Sequence, residues 1–208
     1  MNFILFLAQA VLVSLSGVMA PGPMSAVAVG KGSNSPRAGL WISVGHGIVE
    51  VPLMIALLMG FGKLVQITAV KSLIACVGGV FLFLMAAGMM RDASGKQLKS
   101  KSDARSPLVI GIAASAGNPY FLLWWATVGM TLLVETKLYG IPGFAAFALV
   151  HWACDFAWLG LLSFLAYRGS KLLGGMFERS VYTVCAIVLA FFGGKFLFDG
   201  FGGILGLM

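Results

Sequence analysis

Charge is what this sequence has least of. Of its 208 residues only 10% are Asp, Glu, Lys or Arg, against 60% hydrophobic side chains and a mean hydropathy of +0.98. Soluble domains carry about 25% charged residues, so a water-exposed globule is excluded and no stretch remains for a soluble catalytic domain. Cysteine is scarce too: Cys76, Cys154 and Cys185 are odd in number, lack CxxC spacing and fall inside apolar runs. They read as small hydrophobes rather than a disulfide framework. No GxxxxGK[ST] phosphate loop is present, which argues against an ATP-driven pump. No nucleophile–base spacing points to an enzyme. The amino terminus has no basic n-region and Pro21 directly follows Ala20, so a cleavable signal peptide is not expected.

What the chain has instead is long apolar runs. Hydropathy parses them into six spans at roughly 3–29, 38–61, 70–90, 107–134, 141–167 and 181–203, each at or above the ~20 residues that cross a bilayer. The expectation is an all-α integral membrane protein, a single transporter domain over 1–208 in contact with the lipid bilayer. The polar connector 91–106 carries Arg91, Lys96, Lys99, Lys101 and Arg105. Together with Lys31, Arg37, Arg168, Lys171 and Arg179 these bases fall on one side of the membrane, and only Lys63, Lys71, Lys137 and Lys195 fall toward the other. Basic loops stay in the cytoplasm. Both termini are therefore expected to be extracytoplasmic in a multi-pass protein of the cytoplasmic membrane. The net charge of +7 then reports orientation, and no nucleic-acid partner is implied.

The two halves echo each other. The first, about 1–90, contains Pro21-Gly22-Pro23, then His46-x-x-x-Glu50, then Gly78-Gly79-Val80-Phe81-Leu82-Phe83. The second, about 107–208, contains Gly117-Asn118-Pro119, then His151-x-x-x-Asp155, then Gly193-Gly194-Lys195-Phe196-Leu197-Phe198. Three spans per half make the copies opposite in direction, a 3+3 inverted repeat of the kind secondary transporters use. Interrupted helices at matching places in such repeats point to the substrate site. Here spans one and four are broken at their proline motifs. Asn118 before Pro119 reads as an N-cap with proline at the first helical position, and Pro23 can restart a helix in the same way. Such helix ends carry partial positive charge and attract a carboxylate. The plainer reading is a pair of structural kinks.

The only two histidines each precede an acid by four residues, which places each pair on one helix face. Glu50 and Asp155 fall near mid-depth of spans two and five, where ionisable groups are costly and mark ion, proton or substrate paths. Three readings stay open. Glu50 and Asp155 can carry protons, tuned by His46 and His151. All four can ligate a divalent metal, a chemically sensible set of two imidazoles and two carboxylates. Or each histidine merely satisfies its own acid and staples the fold. Lys195 aligns with Val80 in the repeat and has Asp199 four residues on, where snorkelling competes with a functional cation. The Phe-rich stretches and Trp124-Trp125 read as packing or lipid-facing surface. Gly193, Gly194, Gly202, Gly203 and Gly206 allow close helix contact, within the chain or between copies of a homo-oligomer.

Pro21-Gly22-Pro23, the basic turn into Arg37-Ala38-Gly39 and the Asn118-Pro119 opening of span four resemble the LysE/RhtB family of amino-acid exporters over essentially the whole chain. The resemblance implies a secondary exporter of an amino acid or similar small solute, driven by an ion gradient, with no enzymatic activity and no cofactor. It places the substrate near Pro21, Gly22, Pro23, Asn118 and Pro119, and ion coupling is expected at His46, Glu50, His151 and Asp155. Met24 and Tyr120 stand where the family often has a polar residue and a lysine. Related branches of the wider superfamily resemble divalent-cation exporters, so a metal exporter using the two His/acid pairs is the alternative, and a non-transporting scaffold or enzyme a second one.

Overall fold

The computed structural model describes residues 2–20, 22–61, 67–94 and 106–206. Pro21, Lys63, Lys96, Lys99, Lys101 and Arg105, which figured in the sequence reading, lie outside the described residues. All regular structure among the described residues is helical. Helix α1 is Phe3–Val18, opened by Asn2, whose Oδ1 accepts the Ile4 amide at 3.1 Å. A 74° bend leads into α2, Pro23–Gly32. Gly22 is extended before it, and Pro23 takes the first helical position, where its missing N–H is no loss. Helix α3 is Ala38–Ala56 and runs on through a wide turn, Leu57–Phe61, that ends beyond Gly60. Pro52 lies inside α3 and leaves the Ile48 carbonyl without its helical donor.

Helix α4 is Thr68–Ala93 and α5 is the short Pro107–Ala116, capped by the Ser106 hydroxyl on the Val109 amide at 3.3 Å. After the break at Gly117-Asn118 come α6, Pro119–Trp124, a wide turn Trp125–Gly129, and α7, Met130–Thr136. The remaining stretch Gly140–Ile204 is helical apart from its first residue, Gly140, and one residue inside it. Gly174 takes φ 68° and ψ −158°, a conformation that suits only glycine, and it divides α8 (140–173) from α9 (175–204). The sequence reading expected a connector over 168–180. The break falls within that interval, at Gly174, with helical backbone on either side of it.

Four helical stretches are long and apolar enough to cross a membrane, and the bent pair Phe3–Val18 and Pro23–Gly32 passes the same test jointly. Polarity runs inside out. Ser14, Ser43, Glu50, Ser115 and Ser163 are completely buried, while Ile4, Met59, Leu138, Ile141 and Leu172 are more than 70% exposed. A surface of this kind suits hydrocarbon, and buried polar groups must then find partners within the protein.

Small residues set the helix spacing. A Cβ on Gly45 would collide with the Leu108 carbonyl, and one on Gly111 with that of Ile42, so α3 and α5 pack backbone to backbone. Gly39 does the same for α3 against the Leu159 carbonyl of α8. In α4 and α9 the two Gly-Gly motifs meet each other. The Gly79 position lies against Gly193 and Leu197, and Gly193 against Phe83. Gly193 of the last span is thus spent on contact within one chain. Phe6, Met54, Leu57, Phe121, Trp125 and Phe147 form one buried cluster at one end of α3.

Candidate functional site

Four titratable side chains meet between α3 and α8. His46 and Glu50 come from α3, His151 and Asp155 from α8, and none is more than 6% exposed. The four-residue spacing aims each pair off one helix face, and the glycine contact at Gly39 brings the two faces close. Trp152 keeps them in register by donating Nε1–H to the Ser43 carbonyl at 2.9 Å.

The pairs are not separate staples. Glu50 Oε1 stands 3.1 Å from His46 Nε2 and also 3.1 Å from His151 Nε2. Asp155 is farther from both imidazoles, 3.5 Å from His151 and 3.8 Å from His46. His151 therefore sits closer to the acid of the other helix than to its own. Each histidine keeps a contact with its own acid, and the crossing joins the two pairs into one cluster.

Each imidazole is held from behind by a serine on a broken span. His46 Nδ1 is 2.7 Å from Ser115 Oγ on α5, and His151 Nδ1 is 2.7 Å from Ser14 Oγ on α1. Trp125 Nε1 donates to Glu50 Oε1 at 3.3 Å. The expectation that Trp124-Trp125 is mere packing or lipid-facing surface is corrected here. Trp125 is 1% exposed and stacks edge-on against His151 with centroids 4.8 Å apart, and Trp124 lies 5.5 Å from the same ring. Phe121 packs on His46 in the same way at 4.8 Å. Phe121 and Trp125 are four residues apart just past the break, a spacing that places both on one face. Ser14 and Ser115 gave no comparable signal.

The four groups line a cavity of about 60 Å³ that also reaches Gly22 and Asn118, so the two chain breaks and the two His/acid pairs share one space. Asn118 is an N-cap, its Oδ1 accepting the Tyr120 amide at 3.1 Å. Pro23 and Pro119 are buried behind the wall rather than on it, Pro119 against Gly78. Met24 and Tyr120, which replace the family's more usual residues, are both on the wall. A wider apolar groove of about 410 Å³, reaching Trp158 and Val184, shares Gly22 and Ser25 with this cavity.

Among the described residues no lysine or arginine lines the cavity, and the imidazoles are the basic groups there beside the two acids. Two carboxylate oxygens, Glu50 Oε2 and Asp155 Oδ2, are buried and accept no hydrogen bond. A buried acceptor without a donor is costly, and a donor-rich or cationic guest would relieve that cost. A divalent ion is one such guest. His46, Glu50 and Asp155 offer ligand atoms within 4.8 Å of one another, and the N/O donor set suits zinc, cobalt or nickel. Lys195 plays no part here: its Nζ pairs with Asp199 at 2.6 Å on the exposed side of α9.

No curated protein and no solved structure matches the chain significantly. The family model described as LysE type translocator matches residues 15–200, nearly the whole length, and the chain belongs to that family of multi-pass membrane proteins, which are transporters and not enzymes.

Proposed function

We propose that this chain is a secondary active exporter of an amino acid or a similar small solute, coupled to protons. The observation that carries the reading is the pair of buried carboxylate oxygens that accept no hydrogen bond, Glu50 Oε2 and Asp155 Oδ2, on residues lining a cavity that also touches both chain breaks. An ammonium group would satisfy those oxygens, and the solute's carboxylate would turn toward the backbone opened at Gly22 and Asn118. The pathway residues are then Gly22 and Asn118, with Pro23 and Pro119 shaping the breaks. His46, Glu50, His151 and Asp155 exchange protons as solute enters and leaves.

The same reading takes the membrane topology as six crossings in a 3+3 inverted repeat. The stretch Pro119–Gly174 has 56 residues, enough for two crossings at ~20 each, and the chain turns at Gly140, where φ is 64°. Contacts that support the repeat include Gly79 against Gly193, and the two serines holding histidines from the opposite half. Basic residues such as Lys31, Arg37, Arg168 and Arg179 then face the cytoplasm, with both termini outside the cytoplasmic membrane.

The test is flux of labelled amino acids in proteoliposomes under an imposed pH gradient. Glu50→Gln together with Asp155→Asn should abolish it, and flux that persists unchanged would sink the proposal. The metal-exporter reading is the second one, favoured by the close approach of His46, Glu50 and Asp155 ligand atoms. It predicts that zinc, cobalt or nickel is carried, and that the ion is no longer retained in His46→Ala/His151→Ala.

A further inference from the structure

Two histidines with the same sequence setting are treated differently by their serines. Ser115 Oγ has a backbone acceptor of its own, the Gly111 carbonyl at 2.7 Å, besides a longer contact to Met24 Sδ at 3.6 Å. With the hydroxyl proton directed to that carbonyl, Ser115 Oγ can only accept from His46. Ser14 Oγ has no partner other than His151 among the described residues, so its proton is free to go to His151 Nδ1.

We propose that Ser115 is a positioning residue that holds His46 with its proton on Nδ1, while Ser14 holds His151 with Nδ1 bare and the proton on Nε2. The consequence lies at Glu50. With its proton on Nε2, His151 places that proton toward Glu50 Oε1 across 3.1 Å, beside the Trp125 Nε1–H that donates to the same oxygen at 3.3 Å. On the other side, a neutral His46 turns a bare Nε2 toward the same oxygen at 3.1 Å. Two acceptors cannot face each other at that distance without a proton between them. The proton therefore lies on the line from His46 Nε2 to Glu50, with Asp155 Oδ1 3.8 Å away as the next acceptor. The two imidazoles thus differ at Glu50: His151 presents a proton of its own, and His46 shares one with the acid.

The chain has only two histidines, both in this site, so the test is direct. Metal-stripped protein labelled with nitrogen-15 histidine is placed in lipid nanodiscs, and the ring nitrogens are read by NMR. Each ring is assigned through its neighbour: Phe121 lies against His46 and Trp125 against His151. The expected spectrum has His46 protonated at Nδ1 and His151 bare at Nδ1. Ser115→Ala should shift the His46 nitrogens and leave those of His151 in place, and Ser115→Thr should restore them. Two rings of the same tautomer in the wild-type protein, or a His46 spectrum untouched by Ser115→Ala, would overturn the assignment. The wild-type spectrum decides even where the alanine variant does not fold. Loss of the flux proposal would leave these spectra as predicted, whereas proton-coupled flux with the tautomers reversed would remove only this inference.

Discussion

Replacing Glu50 by alanine should destabilise the protein more than replacing Asp155, although the sequence presents them as equivalents. Glu50 Oε1 stands 3.1 Å from the Nε2 atoms of both His46 and His151 and accepts from Trp125 Nε1–H at 3.3 Å. Its removal leaves those groups facing an empty space, in a side chain position that is 0% exposed. In water-soluble cores an orphaned buried group costs about 1–3 kcal/mol, but side-chain hydrogen bonds within membranes average only about 0.6 kcal/mol and reach about 1.7. Three such contacts then amount to roughly 2–5 kcal/mol on the membrane scale. Asp155 stands no closer than 3.5 Å to either imidazole, and its Oδ2 accepts no hydrogen bond, so Asp155→Ala should cost less than about 1 kcal/mol and can even relieve an unsatisfied acceptor. A difference of ~2 kcal/mol corresponds to roughly 4–8 °C in melting temperature for a chain of this size. Thermal unfolding of the two variants in one detergent, followed by intrinsic fluorescence, measures it. Equal melting temperatures, or a less stable Asp155→Ala, would refute the reasoning.

Gly45→Ala and Gly111→Ala should each lower stability by about 1–3 kcal/mol, because the added methyl meets the Leu108 or Ile42 backbone and α3 and α5 must part. Gly88→Ala, whose Cβ would have nothing within 4 Å, is the control that should melt like the parent in the same assay. Lys195→Gln should leave flux within about twofold of the parent, since its partner Asp199 and its exposed position keep it out of the cavity. A severe loss would make Lys195 part of the pathway.

Much of the plan could be read from residue order alone. The apolar runs, the breaks at Pro23 and Pro119 and the cap at Asn118 are local events, each decided by backbone chemistry within a turn or so. The His/acid spacing likewise predicts which face each pair occupies. What it cannot predict is which helix that face meets. The crossing of His151 to Glu50 depends on how closely α3 and α8 approach, which is settled by a glycine against a carbonyl at Gly39 and Leu159. Ser14 and Ser115 were invisible for a related reason. A serine in an apolar helix usually returns its hydroxyl to the backbone of the preceding turn, and nothing in the order of residues distinguishes one that also meets an imidazole. The tryptophans were misjudged because aromatic side chains in a membrane span more often pack than bond, and the Nε1–H of Trp125 has a partner only once Glu50 is placed beside it.

The unequal roles of the two acids follow from a single methylene. Glu and Asp differ by one carbon, about 1.5 Å of reach, and the site is narrow enough for that to matter. The longer arm of Glu50 carries its carboxylate to the midpoint between the two Nε2 atoms, 3.1 Å from each. The shorter Asp155 stops 3.5 and 3.8 Å from the same two rings. One acid is thereby committed to holding imidazoles and an indole, and the other keeps most of its capacity to accept. If both were glutamates, the two would compete for the same pair of imidazoles at close range, with like charges pressed together in a medium that screens them poorly. If both were aspartates, neither would bridge the helices. A long acid facing a short one lets a single cluster contain a fixed anchor and an acceptor left open to a guest.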